Sequence, residues 1–142
     1  MVVCLLNEKE KLFSSSDAMR ETSNDSVYFD AWVEQSHKDI EKAVDYIYAK
    51  DLDNLGLLVQ SNALRMHASL MAINKWYFEP ETIEVMNIVR DLQKDIPAYF
   101  TMDAGPNVKI LTDEKHLDLV LERLKSYKTI VCKTGSGLEV YE

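Results

Sequence analysis

The residues best suited to chemistry lie in one short segment, YFTMDAGPNVKI, from Tyr99 to Ile110. Asp103 is its one acid, and it is followed by the turn formers Gly105, Pro106 and Asn107. Apolar and β-branched residues on both sides predict two strands, with Asp103 in the turn between them. A carboxylate on such a braced turn can be held beside a ligand and accept a proton from it. The alternative is that these residues only cap a hairpin.

A second candidate is the run of three serines Ser14, Ser15 and Ser16. They lie in Lys11 to Ser26, a stretch rich in Ser, Asp, Asn and Thr that predicts a long loop after the first strand. Serine hydroxyls and nearby backbone amides can hold the oxygens of a diphosphate group. The alternative is a solvated loop without a ligand, because this composition is common in loops of every kind.

Two polar residues accompany an apolar helical stripe further along the chain. Asn62 lies within the stripe and His67 lies on its flank. A buried polar side chain needs hydrogen-bond partners. These are more commonly a loop or a backbone carbonyl of the protein than a ligand. His67 lacks the Asp or Cys neighbours that a metal or nucleophile site requires. We therefore expect both residues to support the structure around the site, and we expect no metal site.

The elements that must position these residues follow from the hydrophobic periodicity. Apolar residues at three- and four-residue steps predict helices, and short apolar runs predict strands. The predicted elements are a fully buried strand at Met1 to Leu6, helices from Ser26 to Ala49, Leu55 to Ile73 and Pro80 to Ile96, strands at Ala98 to Met102 and Val108 to Leu111, a helix capped by Thr112 or Asp113, and a strand at Thr129 to Lys133.

This order predicts a ferredoxin-like α+β sandwich. With the first three helices counted as one crossover, it is the split β-α-β pattern, with a four-stranded antiparallel sheet and about four helices. Right-handed crossovers place the first and last strands side by side and the helices on one face. The charges from Glu34 to Lys50 are expected to form a solvated helix face, and Trp32, Trp76 and Tyr77 to be core or helix-junction aromatics.

Composition limits the function. A chain of 142 residues with 46% hydrophobic content predicts one globular domain. Sixteen basic and 24 acidic residues give a net charge of -8, which argues against nucleic acid as a partner.

No signal or membrane-spanning segment is evident, so a cytoplasmic location is expected. Cys4 and Cys132 are expected to be reduced, buried thiols. None of the four glycines fits a nucleotide-binding GxGxxG or GxxxxGK[ST] loop.

Three segments in order resemble the diphosphomevalonate decarboxylases, which belong to the GHMP kinase superfamily. YFTMDAGPNVK resembles the motif at their catalytic aspartate, NALRMHAS at Asn62 to Ser69 resembles the preceding helix, and SSSDAM at Ser14 to Met19 resembles their substrate loop. The resemblance covers nearly the whole chain and is weakest over Met1 to Leu12 and after Ser126. It matches only the C-terminal half of such an enzyme, whose GHMP fold agrees with the predicted topology.

The resemblance implies roles for individual residues. Asp103 is implied to act at the 3-hydroxyl of diphosphomevalonate, and Ser15, with Ser14 and Ser16 beside it, to contact the diphosphate of the substrate. The residues expected to support the site are Ala104, Gly105, Pro106 and Asn107, together with Asn62 and His67. Ser16 stands where the family has Arg, and Ala18 where it usually has Gly. A hydroxyl cannot replace a bidentate guanidinium contact, and Arg20 is the one nearby cation that could substitute.

The resemblance also implies cofactors and partners. The complete enzyme uses ATP with Mg²⁺, which the missing N-terminal ATP-binding domain would bind, and this chain alone is expected to bind neither. Residues 1–134 would form the C-terminal domain and residues 135–142 a polar tail, with a homodimer possible through the apolar surface left uncovered. Two alternatives remain open: a non-catalytic binding module that keeps the fold, and an enzyme acting on a related mevalonate substrate.

Overall fold

A computed structural model describes residues 1–7, 13–135 and 137, and within them the chain forms four strands and five helices. In chain order these are β1 (Val2–Leu5), α1 (Ser15–Asp25), α2 (Phe29–Ala49), α3 (Leu52–Met71), α4 (Pro80–Leu92), β2 (Ala98–Thr101), β3 (Val108–Thr112), α5 (Leu117–Arg123) and β4 (Lys128–Val131). Residues 136 and 138–142, most of the predicted tail, lie outside the described residues, as do residues 8–12, of which 11 and 12 belong to the predicted loop.

The four strands form one antiparallel sheet in the order β2-β3-β1-β4. Val2 is aligned with Ile110 on one side and with Val131 on the other, so the first and last strands are neighbours. This arrangement confirms the predicted split β-α-β topology and the α+β class. It also places the β2–β3 hairpin, which carries the Asp103 turn, at one edge of the sheet.

One face of the sheet forms the main hydrophobic core. Val2 and Cys4 of β1 pack there with Phe100 and Ile110 and with residues of α4 and α5. The intervening residues Val3 and Leu5 are only half-buried. The prediction of a fully buried first strand was therefore wrong, because the core covers only one of the two faces on which strand side chains alternate.

Helix α3 lies against the outer strand β2 at very close range. A Cβ atom built on Gly56 would run into the ring of Tyr99, so glycine is what allows this approach. The Tyr99 hydroxyl donates to a carboxylate oxygen of Asp53 at 2.7 Å. On the same helix, the Gln60 side-chain oxygen accepts from the backbone amide of Phe100 at 3.2 Å. The free edge of β2 is thereby capped by α3.

The serine-rich segment is a helix rather than the predicted long loop. Ser14 is the N-cap of α1, and its hydroxyl oxygen accepts from the backbone amide of Asp17 at 3.0 Å. Ala18 and Thr22, one helical turn apart, are fully buried, so α1 has a packed face despite its polar composition. Capping and this narrow buried face are enough to form a helix from residues that otherwise favour loops.

Two further expectations need correction, whereas the helix-junction position expected for Trp76 is met. Asp39 is buried, although the charges of α2 were expected to be fully solvated. Cys132 is exposed, whereas Cys4 is buried as expected. Trp76 is 59% exposed at the α3–α4 junction. Among the described residues, no helix is long and apolar enough to cross a membrane.

Candidate active site

Asp103 lies two residues after the end of β2, beyond Met102. Its neighbour Met102 is buried, while the Asp103 side chain is 83% exposed. The backbone carbonyl of Asp103 accepts from the amide of Gly105 at 2.8 Å, which closes a tight turn. No glycine in the described residues has a positive φ, so Gly105 forms this turn without a left-handed conformation. The carboxylate is thus held at a turn and is open to a ligand.

The turn is tied to two other elements through Pro106 and Asn107. The Asn107 side-chain oxygen accepts from the backbone amides of Leu6 and Asn7, at 2.8 and 3.1 Å. The Pro106 carbonyl accepts from the hydroxyl of Thr82 at 2.9 Å, inside the capping box that begins α4. Three separate parts of the chain therefore meet at the turn, and its backbone is fixed from both sides.

A cavity of about 360 Å³ opens beside the turn. We call it the polar cavity. Its walls combine aromatic side chains with a small number of polar groups, as ligand pockets commonly do. It is lined by Val3, Asn7, Phe13, Trp76, Tyr77, Phe78, Glu79, Asp103, Ala104, Gly105, Pro106, Asn107 and Lys109.

A second cavity of about 580 Å³ lies on the other side of Asp103, between α2, α3 and the end of β2. We call it the apolar cavity. Met19, Trp32, Val59, Met66 and Met102 supply much of its wall. Asp103 and Ala104 line both cavities, so the carboxylate lies at the boundary between a polar and an apolar environment.

The three serines lie at the start of α1 and are not among the residues that line either cavity. Phe13, immediately before them, lines the polar cavity, and Met19, soon after them, lines the apolar cavity. The segment therefore passes the site, with Ser15 and Ser16 in the first turn of the helix. A helix N-terminus favours anionic groups, which is compatible with the predicted diphosphate contact.

Arg20 is already engaged by a carboxylate. Its guanidinium lies 2.5 Å from an oxygen of Asp17, one turn earlier on α1. The hydrogen bond from Ser14 and the pairing with Arg20 both lower the pKa of Asp17. Arg20 lines neither cavity. The structure therefore does not bring it to the position where the family has an arginine.

Asn62 joins two helices. Its side-chain amide donates to the Ser36 hydroxyl at 2.9 Å and to Asp39 at 3.2 Å, while Arg65 lies 2.5 Å from Asp39. Burial raises the pKa of Asp39. The hydrogen bonds from Gln35 and Asn62 and the charge of Arg65 lower it by more than burial raises it, so the net pKa is below its usual value. Asn62 and Asp39 also line the apolar cavity.

His67 is fully buried behind the site. Its ring packs against Phe78, with centroids 4.6 Å apart, and edge-on to Tyr77 at 6.2 Å. Neither ring nitrogen makes a hydrogen bond of ordinary geometry to the described residues. Burial lowers the pKa of His67 to about 4, although the neighbouring backbone and carboxylate of Asp103 act to raise it. The imidazole is therefore neutral at physiological pH and lies next to the Asp103 turn.

Lys109 is a site residue that the sequence analysis did not single out. Its ammonium pairs with the Asp103 carboxylate, and it lines the polar cavity. Within the described ranges, no group of three or more His, Cys, Asp and Glu residues could hold a metal ion.

Comparison with known families gives a match along almost the entire chain. The mevalonate 5-diphosphate decarboxylase C-terminal domain matches residues 1–138. A curated relative from Haloferax volcanii, phosphomevalonate decarboxylase, is 35% identical over 124 residues, which cover 83% of this chain and 38% of the relative.

Solved structures agree with this match. The mevalonate pyrophosphate decarboxylase of Streptococcus pyogenes superimposes with a TM-score of 0.90 and 39% identity, over 98% of this chain and 45% of that protein. MDDEF in complex with MVAPP, AMPPCP and magnesium superimposes with a TM-score of 0.82 and 35% identity, over 90% of this chain and 42% of that one. The chain thus spans less than half the length of these relatives and has the fold of a GHMP kinase C-terminal domain.

Proposed function

The chain belongs to the family of mevalonate 5-diphosphate decarboxylase C-terminal domains, and we propose that it supplies the Asp103 half of an ATP-dependent decarboxylase active site. The reaction is the conversion of diphosphomevalonate and ATP to isopentenyl diphosphate, CO2, ADP and phosphate. The observation that carries the proposal is the position of Asp103, in a turn braced by two other elements and at the boundary of two cavities.

Asp103 accepts or orients the proton of the substrate 3-hydroxyl while that oxygen is phosphorylated. Phosphoryl transfer requires mainly positioning and charge stabilisation, which a fixed carboxylate provides. Ala104, Gly105, Pro106 and Asn107 hold the turn, with His67 and Asn62 behind it. Ser15 and Ser16 contribute hydroxyl and backbone donors to the diphosphate at the start of α1, beside Ser14, whose hydroxyl donates to Asp17 at 2.7 Å.

ATP and magnesium are bound by another part of the enzyme. MDDEF was solved with AMPPCP and magnesium, and the present chain covers 42% of that protein. Bound ATP supplies the phosphoryl group, and residues 1–134 of this chain supply the surface on which the substrate hydroxyl is oriented. We place the complete enzyme in the cytoplasm and infer a homodimer formed through the exposed apolar residues of α2, which are Ile40, Val44, Ile47 and Tyr48.

The test is reconstitution with an ATP-binding half, either fused to this chain or added in trans. The corresponding segment of the Streptococcus pyogenes relative is a suitable partner because that relative has 39% identity to this chain. Release of CO2 from diphosphomevalonate with ATP is the readout. Asp103→Asn is expected to reduce kcat by at least about a hundredfold, because proton acceptance of this kind typically contributes that much.

Asp45→Asn is the matched control for this experiment, since it removes a carboxylate from the exposed face of α2. It should leave the rate unchanged. A reconstituted enzyme that releases no CO2, or one in which Asp103→Asn is as active as the parent, would exclude the decarboxylase function and favour the non-catalytic binding module.

A second candidate is a decarboxylase of a related substrate. Ser16 at the family arginine position removes a diphosphate contact, and the Haloferax volcanii relative is a phosphomevalonate decarboxylase. To decide between the two substrates, CO2 release is measured with phosphomevalonate and with diphosphomevalonate in the same assay. The ratio of the two kcat/KM values shows which substrate the enzyme prefers.

A further inference from the structure

Lys109 is the one cationic side chain among the described residues that line the polar cavity. The cavity also contains two carboxylates, Asp103 and Glu79. Glu79 accepts from the side-chain amide of Asn7 at 2.6 Å and forms part of the capping box of α4, so its carboxylate serves the fold. Among the described residues, Lys109 is therefore the cation in this cavity that can attract an anionic ligand.

The strand fixes the position of Lys109. Its neighbours Val108 and Ile110 point into the core, so Lys109 lies on the opposite face of the sheet, where the cavity opens. Val3 and Thr101 are aligned with it on the two adjacent strands. Its side chain is 28% exposed, which is unusually low for lysine, and the Asp103 carboxylate is its partner.

This ion pair limits Asp103 as a proton acceptor. The Lys109 ammonium engages Oδ2 of the carboxylate, which leaves Oδ1 as the oxygen that can accept from a ligand hydroxyl. The substrate of the proposed reaction carries a carboxylate and a diphosphate, and either offers anionic oxygens that can replace Asp103 beside Lys109. Such an exchange breaks one ion pair and forms another, and it leaves the Asp103 carboxylate without its cation but largely exposed to solvent.

We propose that Lys109 is the anion-binding residue of this half of the site and that an anionic oxygen of the substrate displaces Asp103 from it. Displacement frees Oδ2 of Asp103 as well, so that both carboxylate oxygens are available to the substrate hydroxyl when substrate is bound. The proposal rests on the proposed function for the identity of the substrate. Its binding step, however, can be tested on this chain alone.

The first experiment is a titration of the ¹⁵N-labelled chain with inorganic pyrophosphate, followed by amide chemical shifts. We expect saturable shifts at Asp103 and Lys109. Lys109→Met should weaken binding about tenfold or more, as loss of a charge-assisted hydrogen bond does, and Lys109→Arg should retain it. Lys94→Met is the matched control, because Lys94 also pairs with an aspartate, Asp91, at 2.8 Å but lies outside both cavities.

The second experiment removes the competing carboxylate. Asp103→Asn should bind pyrophosphate several-fold more tightly than the parent chain, because Lys109 no longer has an internal partner. Adding Lys109→Met should abolish that gain. An ion pair with a purely structural role predicts equal or weaker binding in Asp103→Asn. Equal affinities in the parent and Lys109→Met, or no saturable shifts in the parent and in Asp103→Asn, would overturn the proposal.

A third titration, with mevalonate, identifies which anionic group is recognised. Mevalonate has the carboxylate and no phosphate, whereas pyrophosphate has the diphosphate oxygens alone. Lys109-dependent shifts with either probe support displacement, and their absence with both overturns it. Because these measurements need no ATP-binding half, they can fail even if the reconstituted enzyme releases CO2, and succeed even if it does not.

Discussion

At the scale of single residues, several side chains around Asp103 hold its turn in place, and they do so by different interactions. Asn107 and Thr82 fix the backbone of the turn by ordinary hydrogen bonds. His67 contributes differently, because its buried ring makes no regular hydrogen bond to the described residues and packs against the rings of Tyr77 and Phe78 beside the turn. A buried polar group without partners is costly, so its presence next to Asp103 is consistent with support of the site.

His67 makes stability depend on pH. Its folded-state pKa of about 4 lies below the ordinary value of 6.5, so between these values the unfolded chain binds a proton that the folded chain does not. The free energy of unfolding should therefore fall as pH decreases from 6.5 to 4, by on the order of 3 kcal/mol, with no further contribution at lower pH. Urea denaturation at several pH values measures this.

His67→Phe should lower the dependence on pH in this range, because it keeps an aromatic ring in the same space without a titrating group. His37→Gln, at an exposed position of α2, is the control and should leave the dependence unchanged. If His67→Phe shows the same fall between pH 6.5 and 4 as the parent, then His67 is not the group responsible.

Some site residues can be predicted from sequence and others cannot. The Asp103 turn is recognisable because turn formers act within a few residues of one another. Lys109 is not, because its ion pair depends on the β2–β3 register and on which face of the sheet stays open. The burial of Asp39 cannot be predicted for a similar reason, because it depends on Asn62 and Arg65 from another helix.

At the scale of elements, the contact of α3 with β2 determines how closely the helical layer approaches the strand that carries Asp103. Gly56→Ala would place a methyl group inside the Tyr99 ring. Alanine favours helices over glycine by about 1 kcal/mol, but separating α3 from β2 should cost more, giving a net loss of roughly 1–3 kcal/mol. Thermal or urea unfolding measures the difference.

Ser61→Ala is the matched control, because Ser61 is exposed on the same helix. It should leave stability nearly unchanged or raise it slightly through helix propensity. A Gly56→Ala variant as stable as Ser61→Ala would mean that the approach of α3 to β2 has no energetic importance.

Most of the element order could be predicted from the sequence. Helix α1 and the uncovered apolar face of α2 could not. Strand and helix periods along the chain, with Pro80 at the first position of α4, predict most elements within a few residues. Helix α1 was missed because its polar composition gives almost no apolar stripe, and the deciding signal, the Ser14 cap, is weak by itself. In α2 the periodicity was clear, but periodicity does not tell whether a partner covers the apolar face.

At the scale of the whole molecule, the main apolar surface without cover lies on α2. Four of its residues are 46–85% exposed and lie on one stripe, Ile40, Val44, Ile47 and Tyr48. The stripe borders the apolar cavity through Ile40. We expect the chain to self-associate through it, since contiguous apolar surface of this kind usually marks an interface.

Replacing Ile40 and Ile47 together by lysine should shift the chain toward monomer in sedimentation measurements across a concentration series. The net charge changes from -8 to -6 in this variant, so Glu41→Lys, with the same change of charge on the same helix, is the control. A parent chain that remains monomeric throughout the series would contradict the prediction.

The capped edge of β2 limits how other protein segments can join this sheet. Because Gln60 accepts the amide hydrogen of Phe100, the strand that carries Asp103 cannot readily be extended by β-augmentation, in which an incoming peptide pairs with a free strand edge. The other outer strand is β4, where Ile130 and Val131 are 48% and 40% exposed. Amyloid-like stacking of damaged or partly unfolded copies should therefore begin at β4, on the side of the sheet away from Asp103.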